Sequence, residues 1–402
     1  MIPVISAVRA SDMTGRLPVT RKVWGERVRL TLLGRIDAKI FQTVHAATTD
    51  PTGPVRVLHV FPHAGGGAET YVDTLERLPG FVHRRLYLSS GRAPVNALAS
   101  IPLTLPQLAA RLRGADLIQT HGDVATVLAS PLLRARPSVM TGQGLHMLRR
   151  VTGPRRTVFG RALRGAISQC RLVICSSTAE RTDLERIARP ADRGKLCVVD
   201  NGIETPTPVG GEKRQALRDE LGVPEDAVLG VFVGQLETRK APILAASAAI
   251  RVRQAGIPFV LAVAGDGPEA DALQALTGDA VRALGHRSDI PELLAAGDLF
   301  VQTSEREGMS FALLEAMAHG LAIVASDGPG NPEAVDDAGL LFSAGDEGAL
   351  VAALTKVCTD SSLRAALGAN ARSRASGRFS IEQFLAAVGQ VYRRALAARV
   401  PG

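Results

Sequence analysis

The chain of 402 residues is poor in the features that mark several large protein classes. It has four cysteines, Cys170, Cys175, Cys197 and Cys358. No two have the Cys-x-x-Cys spacing, and no Cys/His cluster fits a zinc site, so a disulfide scaffold and a zinc module are excluded. Reduced thiols are expected, as in a cytoplasmic protein. Aromatic residues make up only 4% of the chain, with a single Trp. That leaves no stacking platform for single-stranded nucleic acid, and no nucleic-acid-binding motif is present. No apolar run approaches the roughly 20 residues needed to span a bilayer. The N-terminus has basic residues but no apolar core before a cleavage site, so it does not read as a secretory signal. No Asp-x-Asp triplet occurs anywhere.

What is present is apolar content and unevenly placed charge. Hydrophobic residues make up 46% of the chain, enough for two sizeable cores. Short apolar strands alternate with helical patterns on both sides of a Pro- and Gly-rich stretch, Glu204 to Arg214, which reads as a linker. This pattern predicts an α/β protein with two doubly wound domains. The expected divisions are an extension over 1–50, a first domain over 51–205, a second over 206–379, and a helix over 380–402 that opens on the capping-box spacing Ser380 to Gln383. Within the extension, Arg27 to Ala47 has near-helical apolar spacing.

Residues 1–200 contain 29 Lys+Arg against 14 Asp+Glu, a net of +15, whereas the remainder has 18 against 25. Arg149, Arg150, Arg155, Arg156, Arg161 and Arg164 crowd one stretch, interleaved with Val158, Phe159, Leu163 and Ile167. An apolar stripe among arginines predicts a surface that meets an anionic membrane or a phosphorylated acceptor.

The most informative segment is Glu307-Gly308-Met309-Ser310-Phe311-Ala312-Leu313-Leu314-Glu315. Its two carboxylates stand eight residues apart. A helix starting near Ser310 puts Glu315 in its second turn and Glu307 on the loop that feeds it. The free amides of that first turn favour an anion. Upstream, Asp298 to Ser304 reads as a buried strand; downstream, Gly320 marks the helix stop and Leu321 to Ser326 a further strand. In such a βαβ unit ligands collect at the carboxyl ends of the strands.

This segment resembles the donor-binding signature of retaining GT-B glycosyltransferases of the family-4 type. Five further pieces follow in the same order: Gly65 to Glu69, Asp200 to Ile203, Val231 to Lys240, Leu261 to Pro268 and Val281 to Ile290. The resemblance implies two Rossmann-like domains facing an interdomain cleft. It implies transfer of a sugar from a nucleotide diphosphate sugar to a hydroxyl acceptor, with retention, no cofactor and no metal. It implies catalytic roles for Glu307, Lys240, His146 and Gln143. It implies donor contacts for Glu315, Gly308, Met309, Ser310, Phe311, Gln235, Arg239, Gly66, Gly67 and Arg287. Two positions depart from the family pattern. Gln235 stands where Arg is usual and Gln143 where His is usual, which removes one fixed charge and one titratable ring. His121 is a further candidate at a strand end. A nucleotide-sugar epimerase, or a weakly active scaffold subunit of a glycan-assembly complex, are the alternative readings.

Overall fold

The computed structural model describes residues 53–64, 67–89, 110, 112 and 114–397. The expected extension over 1–50 and the glycine at Gly66 lie outside them.

Two six-stranded parallel sheets organise the chain. The first runs in the order β2-β1-β3-β4-β5-β6. Its strands are β1 (Val55–Phe61), β2 (Phe81–Tyr87), β3 (Leu117–His121), β4 (Ser138–Thr141), β5 (Leu172–Cys175) and β6 (Leu196–Val198). The second runs β12-β11-β10-β7-β8-β9. Its strands are β7 (Val228–Val233), β8 (Phe259–Ala264), β9 (Val281–Gly285), β10 (Leu299–Gln302), β11 (Ala322–Ser326) and β12 (Gly339–Phe342). Central strands such as β8 and β11 are buried at every residue. That is why they read as unbroken apolar runs rather than alternating ones: helices cover both faces of a parallel sheet.

Each sheet is sandwiched between two apolar clusters. The last helix, Ile381–Ala397, belongs to the first sheet's core although it follows the second in sequence. Phe384, Val388, Val391, Tyr392 and Ala395 pack with Val57, Tyr71, Val139 and Ile174. The Tyr392 hydroxyl donates to Gln119. Burial of each large side chain here contributes about 1.5–3 kcal/mol, so the crossover holds the two halves together. An isolated bridge between Ile203 and Ser380 marks the place where the chain crosses out and back. The Ser380 hydroxyl accepts from the Gln383 amide, but the Gln383 side chain turns to the Gly377 carbonyl, so only half of the expected capping box forms.

Two expectations need correction. The stretch expected as linker ends at Gly210, because Gly211–Glu220 is helical and buries Leu217 against the second core. The apolar stripe on the helix Gly153–Gln169 does not face out. Leu163 and Ile167 are fully buried in the first core and Phe159 packs against them, leaving Val158 exposed.

The strand order of the second sheet reverses between β7 and β10, and that of the first between β1 and β3. Such reversals open a crevice at the carboxyl ends of the strands, the usual ligand position in doubly wound folds.

Candidate active site

Three loops meet at this position. The first leaves β7 as Gly234 to Lys240. It lies directly on the turn after β8, where a Cβ on Gly265 would fall 1.8 Å from the Gly234 carbonyl and one on Gly267 2.4 Å from the Leu236 carbonyl. Only glycine tolerates that approach. The second loop leaves β10 and is tied to the first: the Thr303 hydroxyl donates to the Lys240 carbonyl at 2.8 Å, and the Glu305 amide to the Arg239 carbonyl at 3.1 Å. The third, Thr141 to His146, comes from the first domain.

The tie brings Glu307 onto Lys240. Their side chains form a short ion pair, with Arg239 Nη1 3.7 Å from the same carboxylate oxygen. Glu307 is buried. Burial works to raise its pKa, but the charges of Lys240 and Arg239 outweigh that and hold it down at about 2.

Ser310 caps the helix Phe311–His319, accepting from the Leu313 amide at 3.4 Å, and Gly320 ends it in the left-handed conformation. Glu315 sits in the second turn, half-buried. Burial pushes its carboxyl upward, and no cation pairs with it among the described residues. Gln235 is exposed at the rim of the first loop. Arg287 is not brought into this cluster: its guanidinium is committed to Asp289 and Glu220.

The first domain closes directly on this loop. A Cβ on Gly308 would meet Ser176 Oγ at 2.4 Å and the Gly144 amide at 3.1 Å. The Met309 carbonyl accepts from Asn201 at 2.9 Å. A Cβ on Gly67 would touch the Phe311 ring at 3.5 Å. Arg149, expected on the surface, is largely buried. It pairs with Asp183 at 2.8 Å and donates to the Glu307 carbonyl at 3.3 Å.

The loop Thr141 to His146 contains three successive positive-φ residues, Gln143 (50°), Gly144 (95°) and Leu145 (50°). His146 opens a short helix, His146–Arg150, and its ring reaches solvent at the cleft. The packing behind it and the nearby Arg239 charge take its pKa down to about 4, so it is neutral near pH 7. His121 is buried. It bonds His59 at 2.9 Å, and His59 bonds His83 at 2.8 Å, making a three-ring chain across β3, β1 and β2. Desolvation lowers all three imidazoles. His121 is thus a core residue beside Gln143 rather than a group facing the cleft.

Sequence reasoning missed two buried carboxylates behind the Thr141 to His146 loop, Asp123 and Glu180. It also missed the domain-bridging set in which Glu333 accepts from the Thr178 amide and hydroxyl while Arg378 binds both Glu333 and Asp200. The Ser177-x-x-Glu180 spacing signals a helix start, and Ser177 does cap Thr178–Glu185. The spacing gives no hint that the Glu180 side chain turns away to the neighbouring loop.

Comparison with known proteins agrees with the two-domain fold. Residues 213–374 match the family described as glycosyl transferases group 1, and residues 55–206 match glycosyltransferase family 4. The chain is 31% identical over 307 residues to an alpha-maltose-1-phosphate synthase of Mycolicibacterium smegmatis, covering 70% of this chain and 79% of that one. It is 32% identical over 234 residues to a D-inositol 3-phosphate glycosyltransferase of Salinispora arenicola, covering 52% of each. The chain spans about half the length of the first curated relatives it matches. Among solved structures, sucrose-phosphate synthase of Thermosynechococcus elongatus superposes with a TM-score of 0.71 at 20% identity, over 86% of this chain and 100% of that one. The Anabaena protein HepE, solved with UDP, does so at 0.69 and 22%, over 84% and 100%. These structures share the GT-B architecture, two doubly wound domains across a cleft. By its sequence relatives and its fold, the chain belongs to the group 1 glycosyltransferases.

Proposed function

We propose that the protein transfers a sugar from a nucleoside diphosphate sugar to an acceptor hydroxyl, with retention of anomeric configuration and without a metal. The observation that carries this reading is the Lys240–Glu307–Arg239 cluster, two half-buried cations on a buried carboxylate, beside the capped start of Phe311–His319. As the glycosidic bond breaks, negative charge grows on the diphosphate. Lys240, Arg239 and the free amides at the start of that helix are fixed positive groups placed to receive it. Glu315, a carboxylate without a cation partner among the described residues, accepts the ribose hydroxyls. Glu307 accepts hydroxyls of the donor sugar, with Gly308, Met309, Ser310 and Phe311 shaping the same wall and Gly67 bringing the first domain close. The first-domain loop carries Gln143 and His146 to the acceptor side; exposed His146 acts there as a neutral hydrogen-bond partner, while the Gln143 amide nitrogen is buried toward His121. Gln235 supplies a neutral donor at the rim.

The relatives support a nucleotide-sugar donor. Two of them are named for phosphorylated products or acceptors, and HepE was solved with UDP. The exposed arginines of Gly153–Gln169 provide the electrostatic half of a docking surface for an anionic membrane at the cytoplasmic face.

The test is melting temperature with nucleoside diphosphates in excess chelator. Ligand binding to the native state stabilises it by about 2.7 kcal/mol at one hundred times Kd. A shift with UDP or GDP that survives chelator supports the reading. No shift with any nucleoside diphosphate at millimolar concentration sinks it.

A further inference from the structure

The loop Thr141 to His146 carries two residues assigned above to the acceptor side, yet its backbone is strained. Two non-glycine residues, Gln143 and Leu145, sit at φ 50°, and such conformations persist only when their surroundings over-determine them. What surrounds this loop is carboxylate. Glu180 is fully buried. One of its oxygens accepts from the Gly144 amide at 2.5 Å. The other accepts from the Ser176 amide at 2.7 Å and the Ser176 hydroxyl at 3.0 Å. The carboxyl lies hard against Gly142, where a Cβ would stand 2.5 Å from Glu180 Cδ. Asp123, also buried, takes the Leu148 amide at 2.7 Å and so ties down the far end, at the start of the helix His146–Arg150.

The two groups that Glu180 holds, the Gly144 amide and Ser176, are the same two that Gly308 abuts from the other domain. Glu180 therefore stands one contact behind the place where the Glu307-Gly308 turn meets the first domain. A carboxylate without a cation at hydrogen-bond distance is costly to bury. Burial is the larger effect and pushes the Glu180 carboxyl above its ordinary pKa; three converging donors and the Arg149 charge offset part of that cost.

We propose that Glu180 is a positioning residue for sugar transfer: it clamps the Gly144 amide and Ser176, so that Gln143 and His146 are held in register with Glu307 across the cleft. This rests on the donor-site reading above. Glu180 touches neither donor nor acceptor on that reading. Its loss lowers turnover and leaves nucleotide affinity intact, because the nucleotide is held by the second domain.

The experiment uses the full chain and two variants. Glu180→Gln keeps the shape but turns an NH2 group toward a backbone N–H. Gly142→Ala keeps the charge but drives a methyl into the carboxyl group. Hydrogen exchange is followed across residues 142–148 and across the second sheet. UDP affinity is measured by calorimetry, and UDP release from UDP-glucose by a coupled assay. Expected in both variants are faster exchange confined to 142–148, a UDP Kd within twofold of the parent, and a kcat lower by about 10- to 100-fold, as misplacements near 1 Å produce. Unchanged exchange over 142–148 in folded variants overturns the clamp whatever the donor. Loss of UDP affinity in step with kcat, as general destabilisation would give, also overturns it. If the parent neither binds UDP nor releases it from UDP-glucose, the donor reading fails separately, and the exchange result still decides the clamp.

Discussion

Replacing Lys240 with Ala removes the closest cation to a buried carboxylate. The drop of Glu307 from the ordinary 4.5 to about 2 corresponds to about 3 kcal/mol, at 1.36 kcal/mol per pH unit. A direct Coulomb figure agrees: about 4 kcal/mol for charges 4 Å apart at an effective dielectric of 20. Breaking a buried pair from one side costs about 3–5 kcal/mol, but Arg239 remains 3.7 Å from the same oxygen. The expected loss is therefore about 2 kcal/mol at pH 7, or a fall in Tm of roughly 4–8 °C for a domain of this size. The sign with pH follows from the depressed pKa. The pair's contribution is fully present above pH 4.5 and is lost as pH falls toward 2. The gap between parent and Lys240→Ala should hold from pH 7 to about pH 4.5 and narrow below it as the melt is repeated down to pH 3.5. A second variant, Lys240→Ala with Glu307→Gln, removes the orphaned charge and should recover at least half of the lost stability. Calorimetric melts of the three proteins decide it. A single mutant melting within 1 °C of the parent at pH 7, or a double mutant no more stable than the single, refutes the account.

The two carboxylates should separate in kinetics. Glu315→Gln should weaken UDP binding about tenfold, the scale of one charged hydrogen bond, with kcat near the parent's at saturation. Glu307→Gln should instead lower kcat by more than it changes UDP affinity, and equal loss of affinity in both variants contradicts the division. Reversal of Arg155, Arg156 and Arg161 to Glu should abolish salt-sensitive sedimentation with anionic vesicles and leave UDP affinity unchanged; equal sedimentation of the parent with neutral and anionic vesicles sinks the docking surface.

The parts of this fold legible in the sequence are those fixed by local pattern. Val55 to Phe61 and Val228 to Val233 announce themselves as strands because parallel-sheet strands are buried on both faces. The helix after Glu307 is bounded as read, by Ser310 at its start and Gly320 at its end, because caps act within one turn. The apolar residues of Gly153–Gln169 form the expected stripe, but it packs inward instead of making a surface. A helical period shows that one face is apolar, but not what covers it. Here Leu163 and Ile167 meet the first core, and only the arginine face stays in water. Glu212 in the first turn and Leu217 on the buried face make a helix of what the upstream Pro-Gly run disguised as linker.

The candidate site divides along the same line. Lys240, Glu307 and Ser310 were legible because each belongs to a strand-loop-helix piece with its own signature. The contacts that set them against the first domain join residues far apart in sequence, such as Arg149 with Glu307 and Asn201 with Met309, and no periodicity encodes those. They matter to the proposed chemistry because Lys240 has one ammonium group and two anionic claimants. In this structure it holds Glu307. A donor diphosphate arriving at the same loop competes for that charge. If the phosphate takes Lys240, Glu307 keeps Arg239 and gains a free lone pair for a sugar hydroxyl. Arg149 meanwhile anchors the Glu307 carbonyl from the other domain. Donor binding then exchanges one ion pair for another within a fixed backbone frame. On that argument the energy of the Lys240–Glu307 pair and the selectivity for a sugar-bearing nucleotide over the bare diphosphate are linked. Weakening the pair by Glu307→Gln should tighten UDP binding while reducing the preference for UDP-glucose over UDP.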